Sequence, residues 1–305
     1  MSTRPLRAAA LLLLAVLLAA CADAAGGGGT PAADPSSPAA QDATVVLQVS
    51  EVGGFTTPAM LAGRLPSATL YSDGRLITDG PVIAIWPAPA LPNLQVYRLG
   101  DGAVRNLVER AVAAGVTETG DLGSPPVADA TSTRFTVRTS GETVTREVYA
   151  LGVGSAPERE PEGGPEGELP TGFDTGISAE QAAARARLSE LADALRDPVA
   201  ALGVDRVSGP EPYRPEAVAA VVSPYVEVDP AQAEQPWPGP ELPGEPIGPG
   251  TTCVTATGEQ AEAVLEAAAE GNSATPWVGD DGKRWSVVLR PLLPHESGCA
   301  DLTGA

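Results

Sequence analysis

Cysteine and histidine, two residue types on which nucleophilic catalysis often depends, are few in this sequence. Its 305 residues include three cysteines and one histidine, and these are Cys21, Cys253, Cys299 and His295. A Ser-His-Asp or Cys-His device would therefore have to use His295, for which a structural or exposed imidazole is the simpler interpretation. The sequence lacks the zinc-protease, phosphate-loop, nucleophile-elbow and dinucleotide-binding motifs. We expect no catalytic residue, no metal site and no cofactor.

The first of the cysteines ends an export leader. Arg4 and Arg7 form a short positive region, and residues 8–20 are an unbroken apolar run that ends in small residues. This is the pattern of a secretory signal peptide. The segment Leu18-Ala19-Ala20-Cys21 also resembles the lipobox of bacterial lipoproteins. The alternative interpretation is an ordinary signal peptide with a chance cysteine near its end.

The lipobox resemblance implies a chemical fate for Cys21. In that family the leader is cut just before the cysteine, whose thiol carries a diacylglyceryl group, and the new amino terminus is often acylated as well. Several acyl chains hold a protein on a bilayer far longer than one chain does. The resemblance therefore implies a chain exported to the outer face of the cell membrane and anchored there by lipid.

Cys253 and Cys299 remain as a pair once Cys21 is assigned to lipid. In an exported chain an even pair of cysteines is most simply a disulfide. Closing a loop of that length would stabilise the fold by ~4 kcal/mol on the chain-entropy model. Two cysteines and a lone histidine would make a poor metal site.

The charge of the chain restricts its partners. The formal net charge is −20, and removal of Arg4 and Arg7 with the leader makes the mature chain more acidic still. Such a body repels nucleic acid and anionic lipid headgroups. The abundant carboxylates leave a carboxylate-based hydrolase open, although aromatic residues are only 4% of the chain and sugar sites usually stack on aromatic rings.

The fold class predicted from periodicity is α+β, with antiparallel sheets and about three helices. In the first domain, Asp101 is expected to cap a helix that ends at Gly115. The predicted strands and hairpins of that domain are 44–49, 68–78, 82–86, 94–98 and 134–151. Ser178 and Gln181 form a capping box for a second helix, whose apolar face should pack back on the first sheet.

The remaining segments alternate between loop-like and regular composition. Residues 197–213 are interpreted as a loop, and Trp237 is expected to be tucked against the body within a proline-rich stretch. Thr257 and Gln260 are expected to form a capping box at the start of the third helix. The predicted division is a signal peptide 1–20, a lipidated disordered tether 21–42, an α+β domain 43–151, an acidic Pro/Gly-rich linker 152–177, a helix with a Pro-rich connection 178–250, and a disulfide-tied strand-helix-hairpin unit 251–305. Strand, helix and hairpin recur from 95–151 to 252–293, which leaves open a duplication of one small α/β unit.

Three stretches resemble an actinobacterial-type family of uncharacterised exported proteins. They are Gly53-Gly54-Phe55, residues 65–77 and residues 290–299. The resemblance supports the domain plan and implies no activity and no catalytic residues.

We therefore expect a non-enzymatic lipoprotein that binds or scaffolds another component of the cell envelope. Its partners would be the membrane, through the lipid on Cys21, and an envelope protein or ligand whose identity the sequence does not give. One alternative is a substrate-binding lipoprotein of a membrane importer, which would show two lobes around a deep polar cleft. The other is the carboxylate-based hydrolase, which needs several carboxylates in one pocket.

Overall fold

The first sheet is built from strands whose side chains alternate between two buried faces. The computed structural model describes residues 43–153 and 176–302. Its first sheet has seven strands, which are β1 (Val45–Gly53), β2 (Ala68–Tyr71), β3 (Arg75–Asp79), β4 (Leu94–Leu99), β5 (Thr131–Thr139), β6 (Glu142–Tyr149) and β7 (Val207–Pro212). Their order is β6-β5-β1-β2-β3-β4-β7, and every neighbouring pair is antiparallel.

The second sheet follows in the chain. Its six strands are β8 (Ala217–Pro224), β9 (Gln235–Pro236), β10 (Glu245–Gly248), β11 (Thr251–Thr257), β12 (Trp277–Val278) and β13 (Arg284–Pro291). They are arranged in the order β10-β11-β8-β13-β12-β9. Only the short β9–β12 pair is parallel, so both sheets are of the predicted antiparallel kind and the predicted α+β class is confirmed.

Helices cover one face of each sheet. The helices of the described chain are α1 (Pro58–Ala62), α2 (Asp101–Ala113), α3 (Ala179–Arg196), α4 (Pro198–Leu202) and α5 (Gly258–Ala269), and a 3-10 turn spans Cys299–Leu302. The three long helices are those predicted, and α3 begins with the predicted Ser178–Gln181 capping box. None of the helices in the described ranges is long and apolar enough to cross a membrane.

Two main cores result from this layering. Helices α2 and α3 pack on one face of the first sheet, with Leu107 and Leu188 fully buried against Leu70 and Phe135. Helix α5 packs on the second sheet around Val264. Successive strand residues point to opposite faces, and the other faces of the sheets carry two smaller buried clusters. One joins Ala59 of α1 to Val221 of β8. The other joins Tyr71 of β2 to Leu293, which follows β13.

Several local predictions are wrong. Residues 82–86 form no strand, because both edges of β3 are already paired with β2 and β4 and the flanking Pro81 and Pro87 donate no backbone hydrogen bond. The segment 197–213 is not a loop, since it contains α4 and the edge strand β7. The residue that caps α2 is Gly100 rather than Asp101.

The capping box predicted at Thr257 and Gln260 is also not formed. Thr257 does precede the first residue of α5, but its side chain makes no capping hydrogen bond. Thr257 is the last residue of β11, and the helix follows the strand without a connecting loop.

The predicted segments divide between the two sheets in an interleaved way. The helix of the 178–250 segment packs on the first sheet as predicted, with Leu188, Leu191 and Leu195 buried there, whereas β8 to β10 belong to the second sheet. In the first sheet, three strands separate β4, the strand before α2, from the β5–β6 hairpin that follows α2. In the second sheet, only β8 separates β11, the strand before α5, from β13, which follows α5. The strand orders therefore do not repeat, and the duplication stays a prediction.

Some predictions fall outside the described residues. The leader, Cys21 and the tether precede residue 43, and the predicted linker 152–177 lies almost entirely in the gap 154–175.

Candidate binding loop

A long connection between β3 and β4 carries the most exposed apolar sequence of the described chain. Residues 81–86, Pro-Val-Ile-Ala-Ile-Trp, are all exposed, and we call them the apolar loop. The exposed fractions are 72% for Val82, 61% for Ile83, 56% for Ile85 and 63% for Trp86. Single exposed apolar residues are common, but a contiguous patch of this kind marks an interaction site.

The foot of this connection is closed by hydrogen bonds. Gly80 N donates to Asn93 O over 2.6 Å, and Asn93 Nδ2 donates to Pro81 O over 2.9 Å. A Cβ at Gly80 would lie 2.6 Å from Asn93 Nδ2 and 2.8 Å from Gln95 Cδ, so a larger residue there would have to displace these two side chains. The two ends of the connection are thus held side by side.

The second half of the connection is fastened to the other sheet. Ser273 N donates to Ala88 O over 2.8 Å, Pro89 forms an isolated bridge with Asn272, and Ala90 and Leu91 pack against the core beneath α5. Inside the apolar loop, Ile85 N donates to Ile83 O over 3.0 Å, which is a three-residue turn. The apolar loop is therefore a short projection from a fixed base.

Two further exposed apolar side chains lie at the same end of the first sheet. Phe55 is 88% and Met60 is 57% exposed, and both follow the end of β1. Because β1 and β3 each pair antiparallel with β2, they run in the same direction. Their last residues therefore lie at the same end of the sheet. Phe55, Met60 and the apolar loop therefore all follow strand ends at one end of the sheet.

The lone histidine lies in a different place, beside Tyr71 of the first sheet, and it is exposed on one side. His295 Nδ1 is 2.8 Å from Tyr71 Oη, and Tyr213 Oη donates to Leu292 O nearby. Burial raises the pKa of both tyrosines and lowers the pKa of His295. The Tyr71–His295 hydrogen bond therefore joins two neutral side chains at pH 7.

A buried ion pair completes this group. Nη1 of Arg290 donates to Oε2 of Glu296 over 2.6 Å, and Nη2 donates to Oε1 over 2.6 Å. The side chains of Arg290 and Glu296 are only 5% and 8% exposed. Arg290 Nε also donates to Arg64 O, and Glu296 accepts from Leu293 N. We call Tyr71, Tyr213, Arg290, His295 and Glu296 the junction cluster, and its contacts fasten the chain after β13 to the first sheet.

The junction cluster unites two of the stretches that carry the family resemblance, residues 65–77 and 290–299. His295 is hydrogen-bonded to the hydroxyl of Tyr71, and burial raises the pKa of that tyrosine. Within the described ranges no three His, Cys, Asp or Glu side chains are grouped closely enough to hold a metal ion.

The predicted disulfide is present. Cys253 of β11 is bonded to Cys299 of the 3-10 turn, with an S–S distance of 2.03 Å, a Cα–Cα distance of 5.9 Å and a sequence separation of 46 residues. It ties the chain after β13 to the second sheet, as the junction cluster ties the same chain to the first. Cys21 lies outside the described residues.

Sequence reasoning missed the apolar loop as a surface. A signal was present, because residues 81–92 contain no charged side chain and four prolines, but the β-branched part of this run is also typical of a buried strand. The chain matches no protein-family model, no curated protein sequence and no solved structure.

Proposed function

We propose that the protein is a membrane-anchored extracytoplasmic lipoprotein with a non-enzymatic binding or scaffolding role in the cell envelope. Its contact surface is the apolar loop. The observation that carries this proposal is the exposure of Val82, Ile83, Ile85 and Trp86 on a base closed by Gly80 and Asn93.

The export and anchoring part of the proposal is supported by chemistry at the cysteines. The leader ends in a lipobox-like sequence at Cys21, and the Cys253–Cys299 disulfide is of the kind that persists in oxidising, extracytoplasmic compartments. Lipid on Cys21 would keep the body close to one surface, which raises the effective concentration of any partner found there.

The binding part is supported by the energetics of the loop. Fully burying one Val or Ile side chain is worth about 1.5–3 kcal/mol, and the apolar loop offers three such side chains and a tryptophan. Because its base is already ordered, binding costs little conformational entropy.

Membrane fractionation tests the anchor. Cys21→Ala should move the protein from the membrane fraction to the soluble extracellular fraction, since the acylated thiol is lost. The Cys253→Ala/Cys299→Ala double variant serves as the control, because it removes the two cysteines that are bridged to each other and leaves Cys21 in place. Unchanged membrane retention of Cys21→Ala would contradict the lipoprotein proposal.

Site-specific crosslinking in the native envelope tests the binding loop. A photoreactive residue at Ile83 should form crosslinks with an envelope component, whereas the same residue at Val204, which is 74% exposed and lies before β7, should not. Equal labelling from the two positions would rule out the apolar loop as the contact surface.

A further inference from the structure

The side-chain chemistry of the apolar loop fits a lipid bilayer better than a protein surface. Residues 81–92 contain no charged side chain, and their only polar side-chain atom is Nε1 of Trp86. Protein interfaces carry about one hydrogen bond per 100–200 Å² and a polar rim, which this run has no side chains to supply. We propose that the apolar loop inserts into the headgroup–acyl boundary of the membrane that holds the lipid anchor, an inference that rests on the proposed function and names the partner.

The prolines and one internal hydrogen bond reduce the number of backbone groups that a bilayer would leave unpaired. Unsatisfied backbone groups are costly in hydrocarbon. Pro81, Pro87, Pro89 and Pro92 have no N–H to satisfy. Within the exposed part, Ile85 N is bonded to Ile83 O and Pro81 O accepts from Asn93.

The remaining backbone groups need only shallow insertion to stay hydrated. Interfacial segments enter about 5–10 Å into the boundary region, where water and headgroups still reach them. A loop of six residues on a closed base fits this depth.

Trp86 stands at the end of the exposed run, where a bilayer would place it near the headgroups. Tryptophan is enriched at membrane–water interfaces because its ring is apolar and its N–H needs a polar partner. Val82, Ile83 and Ile85 precede it and have no polar atoms in their side chains, so they suit the acyl region.

The acidic body determines the character of this contact. A chain with a net charge of −20 gains nothing from anionic headgroups, so insertion is driven by apolar burial and does not weaken when salt screens charges. Insertion of a loop of this size would bind a membrane only weakly by itself, but it adds to the binding that the acyl chains on Cys21 provide. Its result is orientation, since the end of the first sheet that carries the loop faces the membrane.

The test uses the lipidated protein reconstituted into vesicles of phosphatidylcholine and phosphatidylglycerol with brominated acyl chains, which quench nearby tryptophan. Of the other three tryptophans, Trp237 is 8% and Trp277 is 1% exposed, whereas Trp285 is partly buried. Trp86→Phe therefore assigns the quenching, because it removes the Trp86 signal and keeps those of the other three. The Ile83→Asp/Ile85→Asp double variant should reduce the inserted fraction about tenfold or more. Val204→Asp is the matched control and should keep wild-type quenching, as should raised salt.

The possible outcomes separate the two proposals. If Cys21→Ala releases the protein but brominated lipid does not quench Trp86, the anchor stands and loop insertion is overturned. Loop insertion is also overturned if the double aspartate variant is quenched like the wild type, or if Ile83 crosslinks in the envelope to protein alone. Quenching that is lost in the double variant, with folding confirmed by an unchanged urea midpoint, supports insertion.

Discussion

Two tryptophans that directly precede prolines lie in opposite environments. Trp237 is 8% exposed, its Nε1 donates to Pro240 O over 2.7 Å, and its ring meets that of Trp277 edge-on at 5.6 Å. Trp86 is 63% exposed. Both lie in proline-rich runs, so composition alone does not tell which run is a structural connection and which is a presented surface.

The difference begins two residues after each tryptophan. Gly239 lies two residues after Trp237. A Cβ added to Gly239 would lie 2.6 Å from Cζ2 of the Trp237 indole and 2.9 Å from Cγ2 of Val264. The absent side chain lets the chain fold back over its own tryptophan. Ala88 occupies the equivalent position after Trp86, and there the chain runs on to the second sheet. One run thus closes on its ring, while the other leaves its ring facing outward.

Removing each tryptophan should give the largest contrast. Trp237→Ala should lower the free energy of unfolding by about 3–5 kcal/mol, because it leaves a large cavity beside α5. Trp86→Ala should change it by less than about 0.5 kcal/mol, since it removes an exposed side chain. Urea titration of both variants measures the two values, and comparable losses would contradict the assignment of Trp86 to a presented surface.

A second contrast extends the comparison to charged residues. Glu296→Ala should destabilise the protein by about 3 kcal/mol, because it leaves the buried guanidinium of Arg290 without its partner. Glu227→Ala should cost less than about 1 kcal/mol, since the Glu227–Arg284 pair is exposed with side-chain accessibilities of 80% and 43%. Equal urea midpoints for the two variants would show that the junction cluster does not hold the sheets together.

Adding a methyl group at Gly239 should have a smaller effect. Gly239→Ala forces the Trp237 ring or Val264 to shift, and overpacking of this kind costs about 1–3 kcal/mol. Gly248→Ala is the control, because nothing lies within 4 Å of a Cβ there. If Gly239→Ala is as stable as Gly248→Ala, the account of why Trp237 is buried is wrong.

The smallest effect expected is a pH dependence at His295. Burial lowers its pKa below the usual 6.5, so the unfolded chain binds this proton first as pH falls. The contribution of neutral His295 to stability is therefore complete above pH 6.5 and is lost below it. Glu296 raises this pKa, and Asp301 acts in the same direction, whereas Arg290 lowers it.

Urea midpoints at two pH values check this dependence. Between about pH 7.5 and pH 5.5 the midpoint of the wild type should fall more than that of His295→Asn, which cannot titrate there. Parallel curves for the two proteins would show that the fold does not favour the neutral form of His295.

Much of the fold was predictable because its signals are local. The Asp-Gly turn at Asp73 and Gly74, the periodicity of α2 and the Ser178–Gln181 box each act within a few residues, and all three are present. The apolar loop was misread because a β-branched run suits both a buried strand and an exposed loop. What decides between them here is whether the preceding strand has an unpaired side. Strand β3 has none, because β2 and β4 pair with its two sides.

The junction cluster was not predictable for a related reason. Tyr71 and His295 are 224 residues apart, and no local pattern links them. Arg185 is similar, because it is fully buried in a helix and donates to backbone carbonyls of Leu122 and Val153. Long-range partners of this kind depend on the packing of whole elements, which periodicity does not report.

The most direct test of the central claim is the solvent accessibility of position 85 in the native envelope. Cys253 and Cys299 are bridged, and if Cys21 is lipidated as proposed, Ile85→Cys supplies the free thiol for labelling. Val204→Cys is its control. If the apolar loop is the contact surface, a membrane-impermeant maleimide should label Ile85→Cys at least about tenfold more slowly on membranes than in the released Cys21→Ala form. Val204→Cys should react equally in both forms, and equal rates at position 85 would contradict the account.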